Sequence, residues 1–321
     1  MLRAMDSAVA GLRAHQNKMD VVGHNIANVN TDGFKAQTYT FKEAMYQTST
    51  ASTGNNGTAG GVNAAQYGYG TLMGTIGMDM TASTPTYRGG FNASIDGEGF
   101  FLVMTTAVAD GIETTDANAL KAASFYYTRV GQFSVDSSGY VVDGNGNFVY
   151  GYEPSDPVTG KVEGDKLDKL VPLRAPTKLA DNATIKDVKF DYDPKNTGVE
   201  KLGKIQIDNT GKISASIEIG GKAQTIYLGT VGIATFQNPN GLAKVGNNYY
   251  VTTAGDNTGT MGASIPGGLT STLMPGYIEA SNVDLAKEFA DMITTHRGFQ
   301  ANSKMITVSD EMLSDLVAMK R

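Results

Sequence analysis

Leu2, Met5, Val9, Leu12, Gln16, Met19, Gly23 and Ile26 recur at alternating spacings of three and four, which is the seam of an amphipathic helix. The pattern stops at Asn28-Val29-Asn30-Thr31-Asp32-Gly33, whose Asn, Asp and Gly favour turns and left-handed backbone. A helix of about 40 Å is predicted there. Near the other end, Ser281-Asn282-Val283-Asp284 reads as a capping box, with Ser281 accepting from the first turn and Asp284 near the positive end of the dipole. From that cap, Leu285, Phe289, Met292, His296, Phe299, Ser303, Ile306, Asp310, Leu313 and Val317 continue a 4-3 seam for about 55 Å. Only Gly298 interrupts it. Ile293, Met305, Val308, Met312, Leu316 and Met319 lie off the seam, so one partner helix cannot cover the apolar surface. Together the termini predict a multi-helix contact layer.

Between them the pattern changes twice. Residues 46–80 are dominated by Ser, Thr, Asn, Gly and Ala, and no Lys or Arg occurs between Lys42 and Arg88, which predicts a long irregular connection. From Arg88 to Tyr152, short apolar runs such as Phe100-Phe101-Leu102-Val103-Met104 and Tyr140-Val141-Val142 are punctuated by Asp96-Gly97, Ser138-Gly139 and Asp143-Gly144-Asn145-Gly146. These are strands joined by tight turns. Residues 151–234 hold as many acidic as basic residues and are richer in charge than the whole chain. Inside that block Ile205 and Ile207, then Ile213, Ala215, Ile217 and Ile219, then Thr225 and Tyr227 alternate around Asn209-Thr210-Gly211 and Gly220-Gly221. The reading is an α+β multidomain chain, with long terminal helices paired as a coiled-coil-like layer and two nested, mainly antiparallel β domains. The boundaries are 1–28 and 281–321 for the helical domain, 29–80 for a linker, 81–150 with 235–280 for an inner β domain, and 151–234 for an outer one.

Composition narrows the chemistry. The 321 residues are enough for two or three domains, and a formal net charge of -6 provides no global basic field for nucleic acid or anionic lipid. Cys and Trp are absent, which removes disulfides, thiolate metal sites and cysteine nucleophiles. No apolar run is long enough to span a bilayer, so membrane insertion is not expected. Arg3, Asp6, Arg13, Lys18 and Asp20 interrupt what would be the apolar core of a signal peptide, so none is expected to be cleaved.

The candidate catalytic and metal motifs each have a simpler reading. Gly198 to Lys204 has phosphate-loop spacing, but Ile205 stands where a magnesium-ligating hydroxyl is required. Asp143-Gly144-Asn145-Gly146-Asn147 opens like a calcium loop, yet Phe148 and Pro154 replace its glycine and closing Glu, so a hairpin turn is expected. Asp187, Asp191 and Asp193 are balanced by Lys186, Lys189 and Lys195. His15, His24 and His296 lack the spacing of a helical metal pair, and His296 on the seam suits register. Met292, Met305, Met312 and Met319 suit adaptable packing. No cofactor, no metal and no enzymatic activity are expected.

One segment is more specific. Asn25-Ile26-Ala27-Asn28-Val29-Asn30-Thr31-Asp32-Gly33-Phe34-Lys35, directly after the first helix, resembles the signature of bacterial flagellar rod and hook proteins, carried chiefly by Asn25, Asn28, Thr31, Gly33, Phe34 and Lys35. Three further stretches resemble the family in order: Ile95-Asp96-Gly97-Glu98-Gly99-Phe100-Phe101-Leu102-Val103; Tyr127-Thr128-Arg129-Val130-Gly131-Gln132-Phe133; and Ser281 to Leu285 with Phe299-Gln300-Ala301-Asn302-Ser303-Lys304. The charged block 151–234 carries no such motif. Asn238-Pro239-Asn240-Gly241-Leu242 and Gly246 to Tyr250 resemble both hook and distal-rod chains. Phe299-Gln300-Ala301-Asn302 looks more hook-like, and rod relatives usually have a smaller outer part.

The resemblance implies a subunit that is exported unfolded, assembles with copies of itself into a bendable tube outside the cell and transmits torque. Its implied partners are the distal rod, the hook cap, the hook–filament junction proteins, and the export apparatus with its chaperones. The expected assembly interface is Leu2, Met5, Val9, Leu12, Met19 and Ile26 with Leu285, Phe289, Met292, His296, Phe299, Ile306, Leu313 and Val317. Two alternatives stand beside the hook, a distal-rod subunit and a secreted adhesin or carbohydrate-binding module.

Overall fold

The described residues of the computed structural model are 2–54, 60–108, 110–114, 120, 123–163, 166–178, 188–192, 200–219, 222–253, 255–267 and 271–319. Gly198, Val199, Asp187, Asp193, Lys186, Lys195 and the Gly220-Gly221 turn lie outside them. The chain forms two compact units, one of residues 1–30, 35–79 and 283–321, the other of 31–34 and 80–282.

The first unit holds α1 (Leu2–Ala27) and α2 (Leu285–Met319), with β1 (Gln37–Glu43), β2 (Tyr46–Thr50), β3 (Ala65–Gly68) and β4 (Thr71–Met78). No described helix is long and apolar enough to cross a membrane. The first helix ends where the turn cluster predicts. The second starts one turn later than the capping-box reading, because Asp284 is its cap. The Asp284 Oδ1 accepts from the amides of Ala286 at 2.9 Å and Lys287 at 3.3 Å. The stretch expected to be irregular instead forms antiparallel pairs, β1 with β4 and β2 with β3. Every residue of β2 and β3 is exposed. With both faces in water, these strands have no reason to alternate apolar and polar positions, so periodicity cannot reveal them.

The second unit carries β5 (Pro85–Tyr87), β6 (Ala93–Gly97), β7 (Phe100–Met104), β8 (Ile112–Glu113), β9 (Tyr126–Thr128), β10 (Phe133–Val135), β11 (Val141–Asp143), β12 (Phe148–Tyr152) and β13 (Lys169–Pro172). It continues with β14 (Ile205–Ile207), β15 (Lys212–Ile219), β16 (Lys222–Val231), β17 (Ile233–Phe236), β18 (Ala243–Gly246), β19 (Tyr249–Val251), β20 (Met261–Ser264), β21 (Ser271–Pro275) and β22 (Tyr277–Glu279). The main sheet runs β14-β15-β16-β12-β7-β9-β19-β18, and all its described pairings are antiparallel. Alternation on β15 buries Ile213, Ala215 and Ile217, while β7 is buried at all five positions because both its faces are covered. Pairing of Gly151 with Val231 and Tyr152 with Thr230 stitches the charged block into the same sheet as β7.

The remaining sequence candidates resolve as structure. Asp143 Oδ1 accepts from the amides of Asn145 and Asn147 at 2.9 Å, which makes the calcium-like stretch a hairpin turn. Gly203 donates its amide to the Ser216 carbonyl at 2.7 Å and Lys204 to the Ser216 hydroxyl at 2.9 Å, so this part of the phosphate-loop look-alike is strand edge. Among the described residues, no group of three His, Asp or Glu is placed to hold a metal ion.

Candidate assembly interface

The two helices pack antiparallel. Asn25 on α1 meets Glu288 at the start of α2, whereas Gly11 meets Asn302 further along. The side chains between them are not the apolar seam. On α1 the buried positions are Ala8, Gly11, Ala14, Val21, Val22 and Asn25; on α2 they are Glu288, Thr295 and Ser309. Most of these stand one position before a seam residue, about 100° round the helix. Small and polar side chains, with Val21 and Val22, are therefore the buried ones, and the larger seam residues are half-buried or exposed.

Glycine notches explain how closely the helices approach. A Cβ on Gly11 would meet the Asn302 amide nitrogen at 2.6 Å, and one on Gly298 would meet His15 Cε1 at 2.6 Å. Each helix thus gives up a side chain where the other inserts one, which accounts for the single glycine interrupting α2. His15 also packs on Phe41 of β1, with ring centroids 5.3 Å apart. Burial, and after it the charge of Lys18, lowers the His15 pKa.

Polar contacts set the register. Lys18 Nζ donates to Asp291 Oδ1 at 2.9 Å. Asn25 is buried and imitates a strand: its Nδ2 donates to the Gln37 carbonyl at 2.8 Å, and its Oδ1 accepts the Gln37 amide at 2.9 Å. The same Nδ2 lies 3.0 Å from Glu288 Oε1. Burial raises the Glu288 pKa, and the Asn25 hydrogen bond opposes that shift.

The predicted interface residues divide into two sets. Met5, Leu12, Met19, Ile26, Met292, Phe299, Ile306 and Leu313 are half-buried beside the contact, while Val9, Leu285, Phe289, His296 and Val317 are exposed. For Leu2 only the backbone is described. Ile293, Met305, Val308, Met312, Leu316 and Met319 are exposed as well. So much apolar surface on one helix pair is uncommon for a chain that works alone.

The rest of the signature does a different job. Asn28 and Asn25 serve the end of α1, where Asn28 Nδ2 donates to the His24 carbonyl at 2.9 Å. Thr31 to Phe34 belong to the second unit. There Gly33 donates its amide to the Glu279 carbonyl at 2.7 Å, Asp32 pairs with Arg88 at 3.0 Å, and the Asp32 carbonyl accepts from Asn248 Nδ2 at 2.7 Å. Phe34 is buried, with Lys244 Nζ 4.1 Å from its ring centroid. Gly33 has φ +67°, and a Cβ there would meet Val130 at 2.6 Å, so glycine is required twice over. Lys35, the last residue of the signature, is buried.

Arg129 gathers the other motifs. Its guanidinium donates to the Gly97 carbonyl at 2.9 Å, lies 5.5 Å from the Phe100 ring centroid and pairs with Glu279 at 3.7 Å, with both side chains buried. The residues that carry the resemblance in this unit therefore meet around one buried ion pair. Sequence reading missed this pair, the Asn25 bridge and the helix notches. A stripe of small residues one position before the apolar seam was the available signal for the last.

Comparison with known proteins finds matches at both ends of the chain. Residues 5–35 match the family described as flagella basal body rod protein, and residues 274–319 match the C-terminal family of the flagellar basal body rod FlgEFG proteins. The chain is 35% identical to the flagellar basal-body rod protein FlgG of Bacillus subtilis over the full length of both. It is 26% identical to the flagellar hook protein FlgE of Borreliella burgdorferi, in an alignment of 460 residues covering all of both. It is also 26% identical to FlgG of Caulobacter vibrioides, with 97% of each chain covered. The full-length match to the Bacillus protein decides the family. The chain belongs to the flagellar rod and hook proteins, the structural subunits of the bacterial flagellar axis.

Proposed function

We propose that the chain is the subunit of the flagellar hook, assembling with copies of itself into a bendable tube through the outward faces of α1 and α2. One observation carries the reading. Large apolar side chains are exposed along the helix pair, whereas among the described residues of the β unit only Tyr87, Val158, Leu167 and Val245 are. Each apolar side chain covered by a neighbour contributes about 1.5–3 kcal/mol, and a helical polymer repeats that contact at every subunit. Polar contacts of the charged block 151–234 are worth about 0–1 kcal/mol each and exchange easily. Strong helix contacts with weak β contacts suit a tube whose subunits slide without separating.

The distal-rod reading has its own support. The rod protein of Bacillus subtilis aligns over 323 residues, whereas hook relatives require alignments of 460 and 481. Electron microscopy of the native polymer tests the two. A curved tube outside the wall supports the hook, and a straight one within the envelope overturns it in favour of the rod. Removing residues 283–321 leaves a monomer; tubes formed by that truncated chain would sink the assembly reading for both.

A further inference from the structure

The β2 and β3 pair of the first unit lacks the usual protection of an open sheet edge. Residues 44–78 contain no Asp, Glu, Lys, Arg, His or Pro. Natural edge strands are usually protected by such residues, lysine and proline above all. Here β2 and β3 form a two-stranded sheet exposed on both faces, an arrangement that is marginal by itself. Met45 is 82% exposed and Val62 56%, with Tyr46, Leu72, Met73 and Ile76 also exposed.

This segment is nevertheless held in place from one side. The turn at Gly70, with φ +95°, rests on α1, where a Cβ would come within 3.0 Å of the Ser7 carbonyl oxygen. Arg3 lies 5.3 Å from the centroid of the Tyr67 ring. The edges are thus presented by the helix that also carries part of the assembly surface.

We infer that the open edges of the β2 and β3 pair hydrogen-bond to a second copy of this chain, extending the sheet across the subunit boundary. The inference rests on the self-assembly reading. Charge argues for this occupant. In a homopolymer the same segment recurs at every neighbour, so a charged edge would repel its own copies, whereas an uncharged one is compatible with itself. Strand addition would also satisfy outward amides and carbonyls of β2 and β3, which pair with no third strand among the described residues.

Hydrogen exchange on the full chain, as monomer and as polymer, tests the inference. Amides of residues 46–50 and 65–68 are expected to exchange at least about tenfold more slowly in the polymer. Thr48→Lys, which adds the missing edge charge, is expected to raise the concentration needed for polymerisation at least about tenfold, while Thr48→Ser, which keeps the hydroxyl that accepts from Gln66 Nε2 at 3.1 Å, leaves it unchanged. A polymer whose hairpin amides exchange as in the monomer, or an unaffected Thr48→Lys chain, overturns this inference alone. A wild-type chain that forms no tube overturns the assembly reading together with it.

Discussion

The helical unit and the β unit use apolar residues in opposite ways. In the β unit Phe101, Val149, Val231 and Ile233 are wholly buried in one core, and the buried Arg129 is paired with Glu279 within the same unit. In the helical unit the residues between the helices are Gly11, Ala14, Thr295 and Ser309, and Phe289, Ile293 and Met312 face outward. One unit completes its core within the chain, and the other leaves apolar area for neighbours. A substitution should therefore cost stability in the first and assembly in the second.

The largest effect is expected at the buried ion pair. Arg129→Ala leaves Glu279 buried without its cation, which costs about 3–5 kcal/mol, and chemical denaturation of the monomer reads it directly. Gly131→Ala should rank close behind, since its Cβ would lie 1.7 Å from the Ala93 carbonyl oxygen and 2.8 Å from the Phe101 ring. If either variant unfolds at the wild-type denaturant concentration, the β unit is not the self-contained core described above.

Phe289→Asp should behave in the reverse manner. Phe289 is 50% exposed, so monomer stability should stay within about 0.5 kcal/mol while polymer yield collapses. Sedimentation of the assembled fraction beside a melting curve separates the two readouts. Wild-type polymer yield would break the comparison on the helical side.

Sequence legibility followed the same division. The alternating Ile213, Ala215 and Ile217 pointed to their burial because apolar spacing and core coincide there. The terminal helices were legible as helices because the 4-3 pattern spans both, although that pattern does not mark their buried contact. The inner helix contact was not, because Ala8, Gly11, Thr295 and Ser309 carry little hydropathy signal and the visible seam is only half-buried or exposed. The signature was recognisable as a family mark, but its division into an Asn25 bridge and a Gly33 to Glu279 anchor depends on partners far away in sequence. Arg129 was legible only as a motif letter, since nothing local announces a buried partner 150 residues later.

The smallest effect concerns pH and the helix notch. Burial in the first place and Lys18 in the second hold the His15 pKa below its ordinary value of 6.5. The folded chain therefore binds this proton more weakly than the unfolded chain does. The stability His15 contributes is present above about 6.5 and is lost as pH falls through the lowered folded value. Glu288 runs the other way: burial raises its pKa above 4.5, so its contribution is present at low pH and is lost as pH rises. A wild-type profile mixes the two slopes, and only a difference isolates one of them. The melting temperature of the wild type minus that of His15→Gln should shrink as pH falls from about 7.5 to about 5. Because Glu288 titrates in both chains, its slope cancels in that difference. A difference that stays flat with pH would mean that burial against α2 and the charge of Lys18 do not depress the His15 pKa in the folded chain.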